Sequence, residues 1–294
     1  MYKNTFSSHK GDPSSLQQHF PSYDLQLLCC RFWQLKNWEF KDLSFPYWRV
    51  YYNFKEGAFI RWNDQSIALS TDKIFLISPN TPYSSYIWGN SIPKKGFKLD
   101  GSRITSRQIK TDCIPHFFIH FNLGIPYDNI TPGIIAVSIT APLREKIRTI
   151  CDHLIENAAD FSFTLNLTIR ALLNELLCNI PQERWQSLTH DHRIFKILNY
   201  IDKHLEKDLS NQALAKELDL ATNSFTRLFT KEVEISPQRY IKQKRIDRAC
   251  ILLHHSQKSI EEIAEMTGFS DRYHFSRIFK QITQTSPAMY RKLS

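Results

Sequence analysis

The sequence has no C-x-x-C pair and no regular cysteine spacing, its six cysteines being scattered at Cys29, Cys30, Cys113, Cys151, Cys178 and Cys250. That argues against a disulfide framework and against a zinc knuckle, and leaves buried thiols in a reducing compartment as the expectation. Long apolar runs are missing too. Residues 1–20, MYKNTFSSHKGDPSSLQQHF, lack the apolar core of a signal peptide, and no stretch approaches the length of a membrane span. The expected address is the cytoplasm, with no membrane partner.

What is present is enough apolar matter for packed cores: 42% hydrophobic and 13% aromatic residues over 294 positions, a length that suits two domains. The formal charge of +9 is unevenly spread. Residues 192–294 hold 18 Lys/Arg against 12 Asp/Glu, whereas residues 1–191 hold 20 against 17. A basic C-terminal third is compatible with a polyanionic partner, and equally with a merely soluble surface.

Periodicity divides the chain. Residues 1–20 read as a polar tail. From about 45 to 125 the period is two: in WRVYYNF, Trp48, Val50, Tyr52 and Phe54 alternate with Arg49, Tyr51 and Asn53. KEG at 55–57 suits a hairpin loop before AFIRW, and DKIFLISPNTPY and PHFFIHFN add further strands, so a small β-barrel or sandwich is predicted. From about 141 the period becomes helical, with Ile147, Ile150 and Leu154, then Leu165, Leu172 and Leu176, at helical spacings. A breaker and polar turn, PQERWQSLTHD, sets a linker at 182–191, and everything after it reads as helix.

Within that helical part the chain repeats itself. LATNSFTRLFTKEVEISP, residues 220–237, returns as a variant within GFSDRYHFSRIFKQITQTSP, residues 268–287, with matches fifty apart at Phe225/Phe275, Arg227/Arg277, Phe229/Phe279, Ser236/Ser286, Pro237/Pro287 and Tyr240/Tyr290. Before the second copy, Ser259 and Glu262 form an S-x-x-E capping box on IEEIAEM, and Gly268 supplies a residue free to turn left-handed. Helix, short turn, helix follows. The second helix carries Phe275, Ile278 and Phe279 on one face and Tyr273, Ser276, Arg277 and Lys280 on the other. The first copy repeats this with Phe225, Leu228 and Phe229 against Asn223, Thr226, Arg227 and Thr230.

A ridge of Arg, Asn, Ser and Thr on a short helix suits the major groove, since Arg pairs with guanine, Asn with adenine, and hydroxyls with base edges or phosphates. One such ridge is an ordinary solvated helix face; two built to one plan point to DNA. Between them PQRYIKQKRIDRACILLHHS, started by Ser236-Pro237, reads as a connecting helix with Ile246, Ala249, Cys250 and Leu253 inward and Lys242, Lys244, Arg245 and Arg248 basic. Its roughly 16 residues span about 24 Å, a spacer able to hold two reading helices about one DNA turn, roughly 34 Å, apart.

RIDRACILLHHSQKSIEEIAEMTGFSDRYHFSRIFKQITQTSPAMYRK closely resembles the second half of the DNA-binding domain of AraC/XylS-type transcriptional regulators, and LAKELDLATNSFTRLFTKEVEISPQRYI resembles its first half. The resemblance covers about the last hundred residues. It implies a seven-helix, two-motif domain that binds promoter DNA, with base contacts on Asn223, Thr226 and Arg227 and on Arg272, Tyr273, Ser276 and Arg277. Arg245 would be structural first and phosphate-binding second, and Lys244 a sequence-independent phosphate contact. Such regulators usually have Gly just before S/T-P, where this chain has Glu234 and Gln284, and a capping Ser where it has Ala221.

The fold class expected is therefore α+β in two domains: a cupin-like β-barrel with a helix pair over 21–181, and an all-α double helix-turn-helix domain over 192–294. The resemblance implies a small-molecule effector in the barrel, a homodimer through helices at about 141–180, and promoter DNA and RNA polymerase as partners. The barrel's aromatics leave a sugar open as the effector.

Two enzymatic alternatives exist. A cupin-type metalloenzyme would use His116 and His120, which HFFIH sets on one side of a strand, but no neighbouring carboxylate or third His completes a set in the sequence, so no metal and no cofactor is predicted. A DNA-modifying enzyme needs an activated thiol, and Cys250 lies on an apolar stripe where thiols are inert. No catalytic residue is assigned.

Overall fold

The structure, a computed structural model, describes residues 23–93, 97–106, 110–185, 189 and 191–292. The polar segment 1–20 and part of the 182–191 linker lie outside them. Nine strands come first: β1 (Gln26–Leu43), β2 (Trp48–Asn53), β3 (Ala58–Trp62), β4 (Gln65–Ala68), β5 (Lys73–Ile77), β6 (Tyr83–Ile87), β7 (Phe97–Arg103), β8 (Ile114–Asn122) and β9 (Ile134–Ser138). They form one antiparallel sheet in the order β4-β3-β6-β1-β8-β2-β5-β9, with β7 also paired to β1. The sheet curls, but its end strands β4 and β9 do not pair with each other among the described residues, so it is a half-barrel.

The period-two reading of β2 holds, with a different consequence for its second face. All six residues of β2 are buried. Trp48, Val50 and Tyr52 enter a core shared with α1 (Ala141–Glu156) and α2 (Phe163–Leu177), while Tyr51 enters another on the opposite face. In α1, Ile147, Ile150 and Leu154 are buried, as are Leu165, Leu172 and Leu176 in α2. Thr140 and Ser162 cap these helices by accepting from the amides of Leu143 and Leu165.

Two strand expectations need correcting. KEG at 55–57 is not a hairpin loop: β2 pairs with β5 and β8, and β3 with β4 and β6, so the turn carries the chain between non-adjacent strands. And the longest strand, the 18-residue β1, precedes the region read as strands. Its alternation is broken by register irregularities between Leu27 and Cys29, Leu35 and Asn37, and Phe40 and Leu43, each of which resets which side chain faces in.

Seven helices follow: α3 (His192–Lys203), α4 (Asn211–Lys216), α5 (Thr222–Val233), α6 (Pro237–His255), α7 (Ile260–Met266), α8 (Arg272–Thr283) and α9 (Pro287–Arg291). α6, at 19 residues, spans about 28 Å. Its N-terminal part contributes Tyr240 and Ile241 to a core with α3, α4 and α5. Further along, Ile246, Ala249, Cys250 and Leu253 join a core that runs from Phe275 and Phe279 of α8 directly into the half-barrel at Leu35, Trp38, Phe45 and Tyr47.

Candidate nucleic-acid interface

α8 begins firmly because Asp271 accepts from the amides of Tyr273 (2.9 Å) and His274 (2.8 Å), satisfying donors that a helix start leaves open. Phe275, Ile278 and Phe279 are buried, which turns Arg272, Tyr273, Arg277 and Lys280 to solvent and leaves Ser276 half-buried. Tyr273 is 75% exposed and lies under the Arg272 guanidinium at 5.2 Å, an unusual position for a large aromatic on a helix with nothing yet packed on it.

α5 repeats this face. Phe225 and Phe229 are buried; Asn223, Arg227 and Thr230 are exposed; Thr226 is half-buried, its hydroxyl donating to the Thr222 carbonyl (2.9 Å) and accepting from Asn211 Nδ2 (3.4 Å). From 221–240 to 271–290 the burial class differs at Leu228/Ile278 and at no other pair. Arg227 and Arg277 stay outside the ion pairs among the described residues, which are Lys146–Glu175, Arg193–Asp191 and His204–Glu206. Their guanidiniums are available to a partner.

Both reading helices end on a left-handed residue, Glu234 (φ 65°) and Gln284 (φ 60°), so the chain turns as it would with glycine. They start differently. Ala221 gives α5 no side-chain cap. Each motif's inner turn also takes a positive φ, at Asp219 (54°) and Gly268 (74°). At Gly268 a Cβ would run into the Leu205 carbonyl oxygen and the Arg245 guanidinium, so this position needs glycine for space as well as for φ.

That contact explains Arg245. Its Nε donates to the Leu205 carbonyl and its Nη2 to that of Lys207, both at 3.0 Å, with the guanidinium 6.0 Å from the Phe269 ring. The side chain clamps the loop after α3 to the turn between α7 and α8, holding the two motifs at a fixed relation. Lys244 is turned inward. Burial pulls its pKa down, but Tyr240, Asp247, Asp202 and Asp128 outweigh that and hold it above the ordinary lysine value. Arg239, Lys242 and Arg248 are the exposed cations of this helix.

The far end of α6 meets the sheet. Tyr47 Oη lies 2.8 Å from His254 Nδ1, and His254 Nε2 lies 3.0 Å from the Tyr290 carbonyl oxygen. A carbonyl only accepts, so Nε2 carries the proton and Nδ1 accepts from the tyrosine. Burial holds this ring neutral, its pKa down to about 3. Beside it a cavity of about 130 Å³ opens inside the half-barrel, lined by Trp38, Tyr51, His116 and Phe118 and bounded by His254 and His255. His116 and His120 do share one side of β8 and both line it, with His116 Nδ1 hydrogen-bonded to Asn53 Oδ1 at 2.6 Å. Cys250, by contrast, is buried in the shared core, where desolvation pushes its thiol well up.

The paired geometry coincides with a known domain. A protein-family model described as a helix-turn-helix domain matches residues 214–293, from within α4 past α9. Residues 214–293 are a helix-turn-helix domain of the AraC type. The chain is 30% identical over 155 residues to the probable transcriptional regulator LumQ of Photobacterium leiognathi, covering 52% of this chain and 61% of that one. It is 37% identical over 103 residues to the regulatory protein PocR of Salmonella typhimurium, covering 35% and 34%. The aligned segment thus spans less than two thirds of either relative. Among solved structures, the C-terminal domain of the response regulator YesN from Fusobacterium nucleatum is 31% identical, with a TM-score of 0.34, covering 34% of this chain and 99% of that one. Both ridges predicted from the sequence lie within or against the AraC-type domain. The Tyr47–His254 contact, which binds that domain to the sheet, has no signal in the sequence because its partners are 207 positions apart.

Proposed function

We propose that the chain is a sequence-specific regulator of transcription in which α5 and α8 of the AraC-type domain enter successive major grooves on one face of promoter DNA. The observation that carries this is the repetition of one solvent-facing ridge, residue by residue in burial, on two helices held together by α6 and Arg245. Asn223, Thr226, Arg227 and Thr230 would read one groove and Arg272, Tyr273, Ser276, Arg277 and Lys280 the other. Phosphate positioning falls to the linker helix, more to exposed Lys242 and Arg248 than to Lys244 with its carboxylate neighbours.

The aromatic-lined cavity suits a small-molecule effector, a sugar ring among the candidates, and its wall includes the end of α6, so occupancy would be felt by the DNA-binding part. Phe163 (79% exposed) and Leu167 (49%) lie one turn apart on α2 and offer an apolar patch for a homodimer. No described helix is long and apolar enough to cross a membrane; a regulator of this kind would act in the cytoplasm and meet RNA polymerase at promoters.

Selecting bound fragments from the source genome, then footprinting at fixed salt, tests this directly. Protection of two neighbouring major grooves is expected, and protection of a single groove refutes the two-groove geometry. Arg277→Ala should cost about 1–3 kcal/mol of specific binding and relax the preference at one base pair. Lys244→Ala should weaken all sequences alike and lower the salt slope by less than about one unit.

A further inference from the structure

One cluster stands outside this reading. Cys29 Sγ and one ring nitrogen each of His120 and His255 all lie within 4.8 Å of one another, on three elements: β1, β8 and the last residue of α6. The sequence offers no completing partner for His120 because the completing residues come from a neighbouring strand and from the other half of the molecule. Cys29 sits directly across from His120 in the β1–β8 register, beside the irregularity after Leu27, a kind of kink that re-aims the side chain next to it. The His120 and His255 rings are 5.2 Å apart, nearly perpendicular.

The nitrogens are what make this more than crowding. Both ring nitrogens of His255, and Nδ1 of His120, are buried without a hydrogen-bond partner. The neighbouring histidines are satisfied: His254 through both nitrogens, His116 through Asn53. Buried unpartnered polar atoms are costly and rare, and an ion bound through one nitrogen of each imidazole satisfies up to two of these three. We propose that Cys29, His120 and His255 are the ligands of a zinc(II) site that pins the linker helix of the AraC-type domain to the half-barrel.

The ligand chemistry selects the ion. One thiolate and two imidazoles with no carboxylate favour zinc over magnesium or calcium. Zinc bonds of about 2.0–2.3 Å place ligand atoms roughly 3.3–3.7 Å apart, so closing the cluster needs about 1 Å of side-chain movement. Burial keeps the imidazoles unprotonated, His255 down to about 4, so no proton competes there. Burial also raises the Cys29 thiol to about 11, against the pull of Arg31. On binding, the S–H bond breaks, its proton leaves to water, and the sulfur pair becomes the S–Zn bond. The fourth position faces the cavity and would hold water or a bound ligand.

The test uses the full-length, reduced, chelator-treated protein without DNA, so its outcome is independent of the DNA-reading proposal. Zinc titrated against a chromophoric chelator should bind at one ion per chain, and cobalt(II) in its place should show a sulfur-to-cobalt charge-transfer band. Cys29→Ser, His120→Gln and His255→Gln should each weaken zinc more than about 100-fold, since even residues that only orient ligands cost 10–100-fold. Cys178→Ser, at an exposed thiol away from the cluster, should bind as the parent does. Circular dichroism melts establish that each variant folds, and the cobalt spectrum of the parent decides the matter alone. No stoichiometric binding, a cobalt spectrum without the thiolate band, or parent-like affinity in His255→Gln overturns the site.

Discussion

The two helix-turn-helix motifs are near copies in sequence and in burial, yet they are attached to the molecule differently. The first keeps its own core, Ile194, Ile197, Leu214, Phe225 and Phe229 among its residues, with Ile125 the strand-half residue packed at its edge. The second has no core of its own: Phe275 and Phe279 belong to one apolar cluster with Trp38, Phe45 and Tyr47. Equivalence at the DNA-facing surface therefore coexists with asymmetry behind it. A change in the half-barrel reaches α8 through direct packing, but reaches α5 chiefly along α6 and through Arg245.

The comparison can be broken most forcefully from the core. Phe279→Ala and Phe229→Ala remove equivalent buried rings and should each cost about 3–5 kcal/mol. Their reach should differ. Hydrogen exchange is expected to accelerate in α6, α8 and the β1–β2 region for Phe279→Ala, and to stay within α3, α4 and α5 for Phe229→Ala. Equal spread into the sheet from both would show that the halves are not separately attached.

A finer cut removes one oxygen. Tyr47→Phe leaves His254 Nδ1 a buried acceptor without its donor, a loss of about 1–3 kcal/mol. Because His254 is fixed to Tyr290 at its other nitrogen, the loosening should appear in α9 and the end of α6 and leave α5 unaffected. Denaturant midpoints give the magnitude and exchange rates the location.

What could be read from the sequence follows from the range of the forces involved. The reading helices rest on short-range signals: apolar residues three and four apart, the Ser259–Glu262 box, Pro237 and Pro287 at helix starts. These are legible in any window of a dozen residues. β1 was not, because its irregularities break the alternation that marks a strand, and Leu35, Trp38 and Phe40 face a core supplied in part by helices more than two hundred residues later. Lys244 looked like a surface cation for a similar reason, since Asp128 and Asp202 come near it only through the fold. The cluster of Cys29, His120 and His255 is the extreme case, three residues with nothing in common along the chain.

Helix starts offer a smaller test of the asymmetry. α8 has Asp271 as its cap, and α5 has Ala221, whose side chain bonds nothing. Ala221→Ser should stabilise the first motif by about 1 kcal/mol, and Asp271→Ala should destabilise the second by about as much. Exchange of the first-turn amides of each helix is the direct readout. If Ala221→Ser changes nothing, the start of α5 is held by something other than its cap.

The smallest expected effect concerns what the motifs share. Glu234 and Gln284 hold nearly the same backbone, φ 65° and ψ −1° against φ 60° and ψ 8°, in a region where a Cβ is unfavourable by about 1–2 kcal/mol and glycine is not. Glycine also frees the unfolded chain, which takes back about half of the gain, so Glu234→Gly and Gln284→Gly should each stabilise by about 0.5–1 kcal/mol. Gln284 additionally donates from Nε2 to the Gln281 carbonyl at 3.0 Å. That bond is exposed and water replaces it at little cost, so its loss should trim the gain at 284 by a few tenths of a kcal/mol and leave Glu234→Gly slightly ahead. A larger gain at 284 would mean that the second motif's end is strained by its attachment to the sheet, and the asymmetry would then extend to the backbone of the reading helix itself.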